Sequence, residues 1–124
     1  MKSALNRVLG LGSAKEGPSH WWQQRLTAVA LVPLGLWFAF ALARIELGSH
    51  GAVSAWIREP INAILLALAV SCVIYHSWLG VRVVLEDYVG GGVKVLALLL
   101  SSFAHSFLFA VCLYSILKVA LGAA

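Results

Sequence analysis

Residues 61–89 read INAILLALAVSCVIYHSWLGVRVVLEDYV, and this stretch decides what kind of protein the chain is. Residues 61–81 contain no Asp, Glu, Lys or Arg. About 20 consecutive apolar residues are enough for a helix to cross the ~30 Å hydrocarbon layer of a bilayer. The stretch therefore predicts a transmembrane helix, and the charged residues that follow it, beginning at Arg82, need an explanation.

Two further stretches have the same character. Residues 26–43 and 95–117 also lack Asp, Glu, Lys and Arg, and the chain of 124 residues is 61% hydrophobic and 11% charged. This composition is far from that of a soluble globular domain. We predict an all-α membrane protein with three transmembrane helices, at about residues 25–43, 61–87 and 93–119. The first apolar run exceeds the roughly 7–15 residues of a signal-peptide core, and two spans follow it, so a cleaved signal is not expected.

The polar segments predict how the spans are connected. Residues 1–24 form a polar N-terminal segment, and residues 25–124 form the transmembrane part. The connection at residues 44–60 has room for a short surface helix, and Pro60 at its end suits the start of a helix. Gly90–Gly92 predicts a short turn, which makes the second and third spans antiparallel neighbours.

Basic residues near the span ends predict the orientation. One side carries Lys2, Arg7, Lys15, Arg25, Arg82 and Lys94, and the other carries Arg44, Arg58 and Lys118. The side richer in Lys and Arg usually faces the cytoplasm, so the N-terminus is expected there. Because these residues are dispersed at membrane boundaries, the net charge of +4 does not indicate nucleic-acid binding.

Two classes of site are disfavoured by the contents of the spans. Cys72 and Cys112 form no C-x-x-C pair, so neither a zinc site nor covalent haem attachment is expected. No carboxylate lies deep in any span, which argues against a small proton-coupled exporter.

His76 is the strongest candidate for a buried functional residue. It lies twelve residues before Tyr88, about 18 Å along a helix, which places it near the middle of the bilayer. A neutral imidazole at that depth can ligate haem iron, and Gly80, one turn away on the same face, leaves room for a flat macrocycle. Equally, His76 can hydrogen-bond a serine or a backbone carbonyl in a bundle without a cofactor.

His105 is predicted at the same depth as His76 if both helices start at one surface. One chain could then supply both axial ligands of a haem. Ser101, Ser102 and Ser106 surround His105 and offer it hydrogen-bond partners instead. The sequence leaves both interpretations of His105 open.

Three polar residues are predicted at one membrane boundary. Asp87 and Tyr88 end the second span and Arg25 begins the first, which puts a carboxylate, a phenol and a guanidinium at similar depth. The carbonyl of an oxidised ring accepts a hydrogen bond, and its reduction needs proton carriers nearby. The alternative is that the tyrosine and the arginine only anchor their helices at the interface.

Two segments resemble a known family. HSWLGVRVVLEDYV, residues 76–89, resembles the signature H-x-W-x-G-x-x-x-V-L-x-D-Y-V of the small hydrophobic anchor subunit of bacterial succinate dehydrogenase. HWWQQRLTAVALVPLGLWF, residues 20–38, looks like the first span of alphaproteobacterial members. The resemblance implies a succinate:quinone oxidoreductase in which a flavoprotein oxidises succinate, an iron–sulfur subunit relays electrons, and two anchor subunits bind a b-type haem and a quinone.

The resemblance also implies roles for individual residues. His76 matches the histidine that ligates haem iron, with Gly80 beside the macrocycle and the second axial histidine coming from a partner anchor. Tyr88 matches the tyrosine that hydrogen-bonds ubiquinone, and Asp87 matches the acid beside it. Arg25 matches the arginine that opens the first span, near the haem propionates or the quinone pocket.

The resemblance places the chain in the bacterial cytoplasmic (inner) membrane, surrounded by lipid and packed against a second three-helix anchor subunit. Such a chain catalyses nothing alone. Two alternatives stay open from the residues themselves. One is a self-contained b-type cytochrome that uses both His76 and His105, and the other is a small transporter or structural membrane protein without a cofactor.

Overall fold

The computed structural model describes residues 16–122, with side chains from residue 18 onward. Helices make up nearly all of this part, and they are α1 (Glu16–Arg44), α2 (His50–Arg58), α3 (Pro60–Tyr88) and α4 (Gly91–Ala120). Three stretches are long and apolar enough to cross a membrane, namely Pro18–Arg44, Pro60–Tyr88 and Gly91–Ala120. The predicted all-α architecture with three spans is confirmed.

The first helix begins earlier than the predicted span at residue 25. α1 starts at Glu16, so part of the predicted polar segment is helical, and residues 1–15 of that segment lie outside the described residues. Hydropathy places the start too late because Gln23 and Gln24 are polar but lie in a helix interface, where their side chains contact α3. The helix continues through Pro33.

The connection between α1 and α3 contains the predicted surface helix. α2 is capped by Ser49, whose Oγ accepts a hydrogen bond from the backbone N–H of Ala52 at 3.2 Å. Such a cap satisfies one of the free N–H groups at a helix start. The ring of Trp56 stacks on that of Trp37 in α1, with centroids 5.6 Å apart. These contacts hold α2 against the end of the bundle where α1 finishes.

The turn between α3 and α4 is as short as the glycines predict. α3 ends at Tyr88 and α4 begins at Gly91, which has a φ of +63°. Glycine adopts this left-handed conformation without the clash that a Cβ causes. The chain therefore reverses within Val89 and Gly90, and α3 and α4 pack side by side as antiparallel neighbours.

α3 is the central helix of the bundle. It packs against both α1 and α4, whereas α1 and α4 do not pack directly against each other in the described residues. Within those residues, the buried apolar side chains are Ile74, Leu79 and Ile116. Most of the other large apolar side chains in this part are exposed and the rest are partly buried, which suits a chain covered by lipid or by other membrane subunits.

Candidate functional site

His76 lies partly buried in the interface between α1 and α3. Its Nδ1 is 2.9 Å from Oγ1 of Thr27, and its Nε2 is 3.4 Å from the side-chain nitrogen of Gln24. Thr27 and Gln24 lie one turn apart on α1, so a single helix face meets both ring nitrogens. One nitrogen is held at short distance and the other meets only a long contact, which leaves Nε2 as the more available atom.

The surroundings of His76 contain an unsatisfied polar atom. Oε1 of Gln24 is buried and has no hydrogen-bond partner in the described residues. Gly80, one turn from His76, lies beside the same side chain, because a Cβ built there would be 3.6 Å from the Gln24 amide nitrogen. Gln24 and Gly80 also line a cleft of about 450 Å³ between α1 and the last turns of α3.

Arg82, the first charged residue after the apolar run of α3, forms an ion pair with Glu86. Nε of Arg82 lies 2.7 Å from Oε1 of Glu86, one turn further along the helix. The guanidinium carbon of Arg82 is also 5.7 Å from the ring centroid of Trp78. The ion pair and the aromatic face lower the cost of carrying Arg82 at a membrane boundary.

His105 lies in the other interface, between α4 and α3. Its Nδ1 is 2.8 Å from the backbone oxygen of Ser101, and its Nε2 is 3.3 Å from Oγ of Ser77. Both ring nitrogens therefore have partners within the chain. Because His76 faces α1 and His105 faces α3 from α4, the two imidazoles occupy different helix interfaces, which counts against a haem held by both.

Asp87 and Tyr88 lie at the end of α3 with free side chains. Tyr88 is 85% exposed, and neither residue makes a hydrogen bond or an ion pair within residues 18–122. Arg25 points elsewhere, since its guanidinium carbon lies 5.1 Å from the ring centroid of Trp21. Asp87 and Tyr88 are neighbours only because they are consecutive in the chain. Arg25 does not contact either of them in the described residues.

Three α1 residues that contact α3 side chains are absent from the sequence-based site. They are Gln23, Gln24 and Thr27, and Oε1 of Gln23 accepts a hydrogen bond of 2.9 Å from the hydroxyl of Tyr75. Thr27 follows Gln24 by three residues and Gln23 by four, and this spacing at the start of an apolar run is the signal that could have identified them, because such residues lie near one helix face. By composition, Gln23 and Gln24 fall in the predicted polar N-terminal segment, and Thr27 falls in the predicted apolar span.

A metal site built from this chain alone is not present in the described range. Residues 18–122 contain no group of three or more His, Cys, Asp and Glu side chains arranged to hold a metal ion. Cys72 and Cys112 are free thiols. A single axial histidine from this chain, with the rest of a cofactor site supplied elsewhere, is compatible with that arrangement.

Comparison with known proteins identifies the family. A family model described as "Succinate dehydrogenase/Fumarate reductase transmembrane subunit" matches residues 1–118. The chain is 38% identical over 120 residues to the succinate dehydrogenase hydrophobic membrane anchor subunit of Rickettsia bellii (strain RML369-C), covering 95% of this chain and 87% of that protein. It is 33% identical over 114 residues to the Paracoccus denitrificans protein of the same name, covering 92% and 88%.

A relative from a third organism is similar over a shorter stretch. The succinate dehydrogenase membrane anchor subunit of Reclinomonas americana is 35% identical over 89 residues, which cover 68% of this chain and 73% of that protein. No solved structure matches the chain. The family match over residues 1–118, on a chain with three membrane-spanning helices, shows that this protein belongs to the succinate dehydrogenase/fumarate reductase transmembrane subunits.

Proposed function

We propose that this chain is the anchor subunit of a bacterial succinate:quinone oxidoreductase, with one axial haem ligand and part of a quinone site. The match of residues 1–118 to the family model carries the proposal. The relatives are named as hydrophobic membrane anchor subunits of succinate dehydrogenase, which assigns this chain an anchoring role without catalysis of its own. It resides in the cytoplasmic membrane with its N-terminus in the cytoplasm, as its basic residues favour.

The partners follow from the role of an anchor. A flavoprotein and an iron–sulfur subunit dock at the cytoplasmic face, and a second anchor subunit packs beside the bundle. The outward-facing apolar surface supports the second contact, because few side chains are buried within the chain itself. The exposed end of α3 supports the first, since Asp87 and Tyr88 have no partner in the described residues and are open to a neighbouring subunit.

The residues around His76 fit a haem. Its Nε2 meets only the 3.4 Å contact from Gln24, and the Gln24 side chain also carries a buried oxygen without a partner in residues 18–122, so this amide is poorly satisfied where it lies. With this amide displaced, Nε2 of His76 would be free to ligate a haem iron, and a histidine of the partner anchor would supply the other ligand. Gly80 has no side chain to fill the space beside Gln24, and Arg25, the next residue after Gln24 on α1, contributes a positive charge.

A bound haem supplies a one-electron carrier whose potential depends on its axial ligands and burial. The chain's own contribution is to hold the imidazole of His76 in a partly buried helix interface, between Thr27 and Gln24. Leu79, 3% exposed, follows His76 by one turn of α3 and lines the cleft that Gln24 and Gly80 also line.

The quinone site is formed at the end of α3. Quinone reduction takes two electrons and two protons, so the pocket must lie near water and near proton donors. The Tyr88 hydroxyl donates a hydrogen bond to a ubiquinone carbonyl, and the adjacent Asp87 carboxylate takes up protons from water and passes them on. Arg25 is proposed to act electrostatically, since it makes no direct contact with Tyr88 or Asp87 in the described residues.

The experiment that tests the quinone assignment is Tyr88→Phe in the intact complex. Removing one hydrogen-bond donor and proton carrier is expected to lower ubiquinone reduction roughly 100-fold. Succinate oxidation by an artificial soluble acceptor is expected to persist, because that reaction bypasses the anchor. Tyr114→Phe is the matched control, since Tyr114 is an exposed tyrosine near the opposite end of the bundle. Unchanged ubiquinone reduction, or an equal loss of both activities, contradicts the assignment.

A further inference from the structure

The hydroxyl group of Thr27 makes three short contacts. Its Oγ1 lies 2.9 Å from the backbone oxygen of Gln23 and 3.0 Å from that of Gln24, as well as 2.9 Å from Nδ1 of His76. A threonine in a helix commonly donates its proton to a carbonyl of the preceding turn. Carbonyl oxygens only accept, so the one hydroxyl proton is directed to the backbone, and a lone pair of Oγ1 faces the imidazole.

The lone pair on Thr27 determines which nitrogen of His76 carries the proton. A neutral imidazole has one N–H and one acceptor nitrogen. Nδ1 must donate to Thr27, which leaves Nε2 as the acceptor.

We propose that Thr27 is a positioning residue, whose hydroxyl holds His76 as the Nδ1–H tautomer and turns its Nε2 lone pair toward the haem iron. This inference rests on the proposed ligation of haem by His76. Histidines that ligate metals usually donate their other N–H to a fixed acceptor, and loss of that acceptor typically lowers affinity about 10- to 100-fold. In this chain the acceptor is a neutral hydroxyl on the neighbouring helix, so the packing of α1 on α3 fixes the ligand's orientation.

The test compares Thr27→Val with Thr27→Ser in the purified complex. Valine keeps the shape and removes the hydroxyl, whereas serine keeps the hydroxyl and removes a methyl group. Ser115→Ala is the control, because Ser115 makes the same kind of bond to its own helix, at 2.7 Å to the backbone oxygen of Val111, but contacts no histidine. The readouts are the midpoint potential of the b-type haem and its low-spin electron paramagnetic resonance signal.

Thr27→Val is expected to raise the midpoint potential and to change the resonance signal, because an Nδ1–H without an acceptor makes the imidazole a poorer electron donor. Thr27→Ser and Ser115→Ala are expected to match the unmodified complex. An unchanged potential and signal in Thr27→Val overturns the proposal. So does a Thr27→Ser variant with a shifted potential, which assigns the effect to the lost methyl group, and this readout stands even if Thr27→Val does not assemble.

A second measurement observes the Nδ1–H of His76 directly. Nitrogen-15 magnetic resonance of the histidine-labelled complex, in its reduced state, reports which ring nitrogen is protonated, and the His76 signal is identified by its loss in His76→Ala. Because ligation through Nε2 alone would also place the proton on Nδ1, the comparison is between the unmodified complex and Thr27→Val, in which the Nδ1–H signal is expected to shift as its acceptor is lost. A proton on Nε2, or an Nδ1–H signal unchanged in Thr27→Val, overturns the proposal for Thr27. If His76→Ala retains its haem, the ligation itself fails, and the same comparison still shows whether Thr27 accepts from the imidazole.

Discussion

The two membrane-embedded histidines of this chain have the same predicted depth but lie in different helix interfaces. In each, Nδ1 has a short contact, 2.9 Å from Oγ1 of Thr27 for His76 and 2.8 Å from the backbone oxygen of Ser101 for His105, and Nε2 has a longer one, 3.4 Å from Gln24 and 3.3 Å from Ser77. The neighbour of Nε2 is what differs, because the Gln24 side chain beside His76 carries a buried oxygen without a partner in the described residues. The comparison teaches that depth and distance do not separate the two histidines, whereas the residue that meets Nε2 does.

The largest expected effect comes from replacing each of the two histidines by alanine. His76→Ala is expected to abolish the b-type haem spectrum of the complex, because it removes an axial ligand. His105→Ala is expected to leave the spectrum intact, since it removes only hydrogen bonds to Ser77 and Ser101. The haem content of the two purified variants is measured by reduced-minus-oxidised difference spectra. Loss of haem in His105→Ala with retention in His76→Ala reverses the assignment.

A smaller effect tests the packing of the central helix α3. Leu79 is the most buried of the described side chains, at 3% exposed. Leu79→Ala is expected to lower stability by about 2–5 kcal/mol, because the truncated side chain leaves a cavity next to the His76 interface. Leu99→Ala is the matched control on the outward face, since Leu99 is 52% exposed. Thermal unfolding of the complex compares them, and equal midpoints contradict the predicted core.

The smallest effect concerns a hydrogen bond between α3 and α4, in the interface that contains His105. Nε1 of Trp78 donates to Oγ of Ser102 at 3.2 Å. Trp78→Phe removes this bond and is expected to cost about 1 kcal/mol, typical of hydrogen bonds between membrane helices. The haem spectrum is expected to stay the same, because the bond belongs to the His105 interface. A spectral shift in this variant, measured beside its thermal midpoint, connects Trp78 to the cofactor instead.

Hydropathy was sufficient to predict the fold, and it failed where polar residues pack. The three spans, the surface helix before Pro60 and the glycine turn all follow from local composition. The start of α1 at Glu16 does not, because Gln23 and Gln24 are polar by composition yet contact α3. Local sequence periodicity gives the relative directions of side chains on one helix, but not how that helix rotates against its neighbour.

The candidate site shows the same limit. His76, Gly80, Asp87 and Tyr88 could be named from depth and spacing, since they lie on one helix. Thr27 could not, because its contact with His76 depends on how α1 rotates against α3. The sequence predicts Arg25 and Tyr88 at a similar depth, but depth does not say which side chains touch, and the side chain of Arg25 lies over the ring of Trp21.

The anchoring role is tested most directly by purifying the native complex through a tag on this chain in a mild detergent. We expect a flavoprotein, an iron–sulfur protein and a second small membrane subunit to copurify, with succinate:ubiquinone reductase activity and a b-type haem spectrum. Recovery of this chain without a flavoprotein and without that activity contradicts the proposed role.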